Sequence, residues 1–372
     1  MPLRRSSLHP AAPDKSRVSD ATASIRLQER YGWELPAVYT DATSEYQAAT
    51  NATAAHDASY MGRLKATGSD ALDLINRMST NKVVGLQPGQ GAPTVLTTDR
   101  GRILDLIAVV NTGGSVLLVT SPGNQQAVID WLDKYTILED LTVEDITAES
   151  TMIHLLGPGS EITLQAAASV ALGTLRDFHT LSGQVGGHGV RIVRYPLGKL
   201  TGFLVITSPD DATAVWDRLR NLGSVALGNE AYETLRVRYS VPRVGQEMGD
   251  DYNPLEAGLI GAIDFAKGCY IGQEVIARLD TYRKVQKHLA SLLFSPDSSA
   301  APGAALLHSD RPMGRVTSIA RIPATGEIVG LGYVRTGSAA VGTRLEVSFG
   351  GRTAAGWAEV VELPLLFGPG QS

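Results

Sequence analysis

Lys267-Gly268-Cys269-Tyr270-Ile271-Gly272-Gln273-Glu274 puts a cation, an amide, a carboxylate, two glycines and the only cysteine of 372 residues into eight positions. A plain core segment has no use for two glycines, which weaken helix and strand alike and usually supply backbone freedom. The stretch predicts a tight turn entering a helix, with Gln273, Glu274 and Val275 in the first turn. A glutamate there suits the helix dipole. Such a turn would present Cys269 and Lys267 at one point in space. Cys269 has two readings. A free cysteine is commonly a small buried hydrophobe. A cation two residues away and a helix start beyond it would instead lower a thiol pKa and favour a reactive or ligand-binding group.

Composition sets the frame. A chain of this length predicts two or three domains. Hydrophobic residues make up 43%, ordinary for a globular protein. No apolar run approaches a membrane span, so no membrane partner is expected. The net charge of −5 gives no electrostatic case for nucleic acid. The run Arg278, Arg283, Lys284 and Lys287 could form a small basic patch, but it reads rather as a solvated helix face, and direct nucleic-acid binding is not expected. One cysteine excludes an intrachain disulfide framework and fits a reducing, cytoplasmic setting. It also argues against an iron–sulfur cluster held by this chain alone. Residues 1–20 carry Arg, Ser and Pro without an apolar core, and read as a disordered tail rather than a secretory signal.

Along the chain, residues 43–54 read as a helix, and Ser69 as the N-cap of a second helix reaching Met78. Residues 93–99 and 102–111 form a hairpin around Asp99-Arg100-Gly101. A pattern then recurs. Leu117-Leu118-Val119-Thr120-Ser121-Pro122 precedes a helix with Trp131, and Phe203-Leu204-Val205-Ile206-Thr207-Ser208-Pro209 precedes one with Trp216. Each proline is expected in the first helical turn. The repetition predicts two related α+β subdomains. Gly157-Pro158-Gly159 between strand and helix fits neither a dinucleotide nor a Walker spacing, so it reads as a structural turn. Residues 229–239 predict a helix carrying Arg236. From Lys287 onward, strand-like runs alternate with Gly, Pro and Ser turns, predicting a small antiparallel barrel or sandwich.

The octapeptide, with Val275-Ile276-Ala277-Arg278-Leu279-Asp280 after it, resembles the signature of the YgfZ family, folate-binding proteins related to the glycine cleavage T-protein (aminomethyltransferase). Gly32-Trp33-Glu34-Leu35-Pro36 resembles the start of T-proteins, and Glu233-Thr234-Leu235-Arg236 their folate-facing arginine segment. The resemblance covers roughly residues 27–363. It implies an α+β, three-lobed T-protein-like fold: two related, interleaved α+β subdomains over residues 21–283, and a C-terminal antiparallel β-barrel over 284–368. It implies tetrahydrofolate or a derivative as cofactor, in a central opening.

The resemblance implies site residues too. Met61 would line the folate pocket, although most methionines are core filler. Arg236 would offer a cation to the folate, where residue type alone suggests a solvated helix-face cation. Cys269 would be the working group, with Lys267 favouring its thiolate and Gly268, Tyr270, Gly272, Gln273 and Glu274 completing the motif. T-proteins carry paired aspartates where this chain has Asp105-Leu106, so the catalytic position is apolar unless the strand shifts by one residue. Asp105 is either a folate contact or a structural carboxylate near Arg100 or Arg102; an isolated charge in an apolar strand is costly. A pterin-holding glutamate is also missing from Gly198-Lys199-Leu200-Thr201-Gly202-Phe203-Leu204. The expectation is therefore a YgfZ-type protein in iron–sulfur cluster assembly or repair, serving enzymes such as those that modify tRNA, with iron–sulfur proteins as partners. The alternatives are a folate-dependent aminomethyltransferase and a non-catalytic scaffold with a degenerate folate cavity.

Overall fold

The computed structural model describes residues 3–8, 25–168, 170–348 and 356–363. Three larger sheet systems carry the molecule, beside a two-stranded ribbon of Arg26–Arg30 and Trp33–Val38. The first has five strands in the order Gly91–Thr97, Ile103–Asn111, Val116–Thr120, Gly62–Thr67, Thr142–Asp145. The second has six, in the order Thr180–Val185, His188–Arg194, Gly202–Thr207, Thr151–Leu156, Ala54–Asp57, Val225–Leu227. The third is a closed six-stranded barrel, built from Lys287–Phe294 to Trp357–Val361.

The first two sheets repeat one unit. A strand (Gly62–Thr67 or Thr151–Leu156) leads into a helix (Ala71–Met78 or Ser160–Ala168). An antiparallel three-stranded meander follows, and its last strand returns to pair with the first. A second helix closes the unit, Gln125–Asp133 or Ala212–Asn221. Both begin three residues after the proline of Thr-Ser-Pro, so Pro122 and Pro209 lie in the turn before the helix and not in its first turn. The offset is the same in both copies, which supports the predicted duplication. The subdomains interleave because Ala54–Asp57, early in the chain, joins the second sheet.

Each sheet buries its helix-covered face in its own core. Leu64, Leu74, Ile75, Ile107, Val109, Leu118 and Leu132 fill the first; Ile153, Leu155, Leu164, Ile192, Phe203, Val205 and Leu219 fill the second. The opposite faces meet. Ala108, Val110, Leu117 and Val119 of the first sheet pack on Met152, Val193 and Leu204 of the second, with Met61 and Tyr195 at the margin. Of the candidate site residues, Met61 packs at this seam. Helix Asn229–Arg238 ties the seam to the barrel, where Val237 packs with Leu289, Leu331 and Tyr333.

Two local expectations change. Ser69 does not cap its helix: Asp70 holds the N-cap position of Ala71–Met78, and the Ser69 amide and hydroxyl both donate to Asp140. Residues 3–8 of the expected tail lie against the fold. Arg4 bridges Trp33, the Arg4 amide donates to the Gly32 carbonyl at 2.9 Å, and the Ser6 hydroxyl donates to the buried Asp57. Residues 9–24 fall outside the described residues.

Candidate functional site

The octapeptide folds as a turn on the tip of the first sheet. Helix Gln273–Thr281 starts where expected, with Gly272 as its N-cap in the left-handed region at φ +80°. A Cβ on Gly272 would stand 2.5 Å from the Thr98 carbonyl oxygen and 3.0 Å from the Gly101 Cα. The hairpin tip, where Gly101 has φ +67°, thus sits directly against the motif. The Thr97 hydroxyl donates to the Ile271 carbonyl at 2.8 Å, and the Ile271 amide donates to the Arg77 carbonyl. Tyr270 is buried with Ile263 and Ile276, while the Gln273 amide oxygen accepts from the Tyr270 N–H.

Cys269 is exposed, which removes the buried-hydrophobe reading. Lys267 is elsewhere. Its ammonium is buried and donates to the carbonyls of Asn76, Ser79 and Asn81 at 2.6, 2.8 and 2.8 Å. Three donors meet three acceptors, at the C-terminus of helix Ala71–Met78, where the dipole favours a cation. Burial lowers its pKa to about 8. The expectation that Lys267 stands at the thiol and favours its thiolate is therefore corrected: Lys267 anchors the loop from inside. Glu274 is exposed in the first helical turn, and Gly268 has open space around its Cα.

Asp105 is fully buried in strand Ile103–Asn111. Its partner is neither Arg100 nor Arg102. Oδ1 accepts the Ser121 hydroxyl at 2.6 Å and Oδ2 accepts the Ser121 amide at 3.0 Å, so the carboxylate fastens the Thr-Ser-Pro turn. The strand has a bulge beside it: Leu96 opposes Asp105 while Thr97 opposes Ile103. From there, Leu106, Ala108 and Val110 alternate with Ile107 and Val109. Leu106 shares the seam-side face, and Asp105 lies at the bulged edge between the faces. Burial raises the pKa of the seam residue Tyr195, and the Asp105 charge adds to that rise. Burial lifts Asp105 itself to about 6.

Met61 is half-buried between the seam and the group Trp33, Leu35, Tyr60 and Tyr31. Tyr31 stacks on Tyr60 with centroids 5.5 Å apart. Arg63, which the sequence reading passed over, positions this wall. It is wholly buried and donates to the carbonyls of Ser59, Met61, Thr147 and Ser150 and to the Ser150 hydroxyl. A single arginine in a short strand carries no sequence signal of such a role.

Arg236 is neither solvated nor free. Its side chain is 6% exposed. Nε donates to Glu233, Nη1 to the Val241 carbonyl and Glu247, and Nη2 to Gln246 and Ser318. A guanidinium has five N–H donors, and all five are used inside the protein. This correction follows from the packing: Ser318 belongs to the barrel, so Arg236 is the bolt between helix Asn229–Arg238 and the third lobe. A cleft of about 540 Å³ opens at that same junction, lined by Gln246, Asp250, Asp251, Tyr252, Arg315 and Thr317 among others.

Two histidines brace the floor. His56 and His154 oppose each other across paired strands and are buried. His56 Nδ1 meets the Leu227 carbonyl and His154 Nε2 the Tyr195 carbonyl, each at 2.9 Å. A carbonyl only accepts, so those nitrogens carry the protons. The remaining nitrogens accept from the hydroxyls of Tyr60 and Tyr232. Both imidazoles are neutral, with burial lowering their pKa values to about 4 and about 3.

Comparison with known proteins matches this architecture. Residues 17–267 match the family described as GCVT N-terminal domain, and residues 287–366 the glycine cleavage T-protein C-terminal barrel domain. The chain belongs to the glycine cleavage T-protein family. The aminomethyltransferase of Symbiobacterium thermophilum is 30% identical over 351 residues, covering 91% of this chain and 92% of that protein. A chloroplastic protein of Arabidopsis thaliana named only as a transferase, At1g60990, is 32% identical over 301 residues, 78% of this chain and 67% of its own length. Among solved structures, the aminomethyltransferase T of the Bartonella henselae glycine cleavage system superposes with a TM-score of 0.81 at 22% identity, covering 92% of this chain and 94% of that one. That likeness concerns the T-protein fold. Among the described residues, no group of three or more His, Cys, Asp or Glu could hold a metal ion. No described helix is long and apolar enough to cross a membrane.

Proposed function

We propose that this T-protein family member binds a reduced folate at the seam between its two sheets and transfers a one-carbon unit of the aminomethyl type. The observation that carries the reading is the family match over both domains, joined to full-length relatives named aminomethyltransferase. The residues present fit such a cofactor. Met61 and Tyr31 offer an apolar and aromatic wall beside the seam. Asp105 offers buried acceptor capacity at the bulged edge, and bulges commonly re-aim a side chain. When bound, a tetrahydrofolate would supply the nitrogens that accept the one-carbon unit. Asp105 would hold or take up a proton at its carboxylate; a pKa of about 6 suits a general base near neutral pH. Arg63 would keep the Met61 wall in place, and Arg236 the junction with the barrel.

The test is formation of methylene-tetrahydrofolate from tetrahydrofolate and an aminomethyl donor. Turnover is expected to fall as pH drops through about 6. In Asp105→Asn it should drop at least a hundredfold, the usual scale of one acid–base group. Absence of turnover in the wild type would remove the transferase activity.

A second reading has its own support. Leu106 leaves the seam-side position apolar, and Cys269 is exposed within an intact octapeptide. Both favour a YgfZ-type role, in which folate binding serves the maintenance of iron–sulfur enzymes and Cys269 is the working thiol. In a host lacking its own protein of this kind, the wild-type chain should then restore iron–sulfur enzyme activity, and Cys269→Ala should not. Equal rescue by both would return Cys269 to an ordinary surface residue.

A further inference from the structure

The cleft of about 540 Å³ beside the barrel has walls of opposite charge. One wall is the loop that carries Asp250 and Asp251. The other is strand Arg311–Arg321, which carries Arg315 and Thr317. All three charged side chains are exposed. Among the described residues, none of them has an ion pair or a side-chain hydrogen bond. The two carboxylates and the guanidinium therefore line one space without satisfying each other.

Both walls are fixed. The Asp251 carbonyl accepts from Lys287 Nζ at 3.1 Å and from Arg102 Nη1 at 3.4 Å. Those two cations are engaged outside the lining: Lys287 lies 4.3 Å from the Tyr252 ring centroid, and Arg102 is 3.8 Å from Glu256. Tyr252, in the lining, stacks on Tyr333 with centroids 3.8 Å apart. Arg315 lies over Gly303, where a Cβ would stand 3.2 Å from Nη2. The strand is bulged at Thr317: Val316 opposes Gly332 and Ser318 opposes Leu331, so Thr317 has no partner across the sheet. Its hydroxyl oxygen is buried and makes no hydrogen bond. Such a group is rare in a folded protein, and bulges re-aim side chains beside functional sites. Gln246 Oε1 accepts from Arg236 and Ser318, and its amide nitrogen has no described partner.

We propose that this cleft binds a small zwitterion of the amino-acid class. Asp250 and Asp251 take the ammonium. Arg315 takes the carboxylate through its planar fork, and Thr317 and Gln246 supply hydrogen bonds between the two ends. The volume is that of a small-molecule site. This site is separate from the folate reading and does not depend on it. A bound zwitterion bridges loop and barrel, which Arg236 also joins through Gln246 and Ser318.

The full chain is titrated calorimetrically with glycine, β-alanine and 4-aminobutyrate, whose two charges lie progressively farther apart. Propylamine and propionate, with one charge each, are the controls. At least one zwitterion should bind the wild type at least tenfold more tightly than either control, the scale of one charge-assisted pair. Arg315→Gln should bring that zwitterion down to the affinity of propylamine. The double variant Asp250→Asn, Asp251→Asn should bring it down to that of propionate. All three residues are exposed, so the variants should keep the wild-type melting temperature within a few degrees. Tetrahydrofolate affinity should be the same in all three proteins, so a failure of folate binding leaves the cleft result readable. The proposal is overturned if no zwitterion exceeds both controls, if propionate or propylamine alone binds as tightly, or if the preference survives in both variants.

Discussion

Lys267 and Cys269 are two residues apart, and their side chains do opposite things. Lys267 closes three carbonyls from inside, whereas Cys269 faces solvent. Replacing Lys267 by Met would leave those carbonyls without their donor, at a cost of about 3 kcal/mol. A denaturant midpoint read at constant slope measures that loss. The rate of Cys269 alkylation in the folded Lys267→Met protein should stay near the wild-type rate, because the ammonium is occupied elsewhere. A large slowing of alkylation would restore the predicted Lys–Cys pairing. Wild-type Cys269 itself should label fully without denaturant. Arg236 teaches a related lesson. Its position is that of a ligand-facing cation in the resemblance, yet counting its donors assigns it to the helix–barrel junction.

At the scale of elements, the motif is a contact between two turns. Gly272 cannot carry a Cβ without meeting the Thr98 carbonyl, and its φ is left-handed. Gly272→Ala should therefore cost about 2–4 kcal/mol, combining the left-handed backbone penalty with a forced shift of the hairpin tip. Gly268→Ala, with open space around its Cα, should cost less than about 0.5 kcal/mol. Thermal melts of the two variants make the comparison, and equal losses would contradict the turn-on-turn contact. Much of this scale was legible beforehand. Alternation and turn residues marked the 91–111 hairpin, the barrel strands and the helix after Gly272, because local periodicity and glycine chemistry are written in neighbouring residues. The repeated Thr-Ser-Pro step pointed to the duplication. Ser69 misled because a serine before a helix looks like a cap, while Asp140, seventy-one positions away, takes its donors. The site was legible only as residue types. That Asp105 would fasten Ser121 and that Arg63 would hold Met61 are long-range facts with no local signal.

For the whole molecule, the neutral histidine pair sets the response to acid. Each imidazole has a folded pKa below its unfolded value near 6.5. Unfolding therefore takes up protons below that pH. The stability from keeping these rings neutral is fully present above about 6.5 and is lost as pH falls toward about 4 for His56 and about 3 for His154, on the order of 3 and 5 kcal/mol respectively. Asp105 works in the opposite sense: its raised pKa means that its ionised form is penalised in the fold, and protonation below about 6 relieves that penalty. His154→Gln should therefore flatten the acid loss of stability between pH 6.5 and 4. The imidazole signals of His56 and His154 should stay at their neutral positions from pH 8 to 5. Titration of either ring near 6.5 would contradict the buried hydrogen-bond arrangement.

The two sheets meet at the seam, where the folate is proposed to sit, so the most direct measurement is binding there. Tetrahydrofolate is titrated calorimetrically, under anaerobic conditions, into the wild type and into Met61→Glu, which puts a carboxylate into the proposed apolar wall. One equivalent should bind the wild type, and the variant should bind at least tenfold more weakly while keeping its melting temperature within a few degrees. No binding to the wild type, or equal binding to both proteins, would contradict a folate site beside Met61 at the seam.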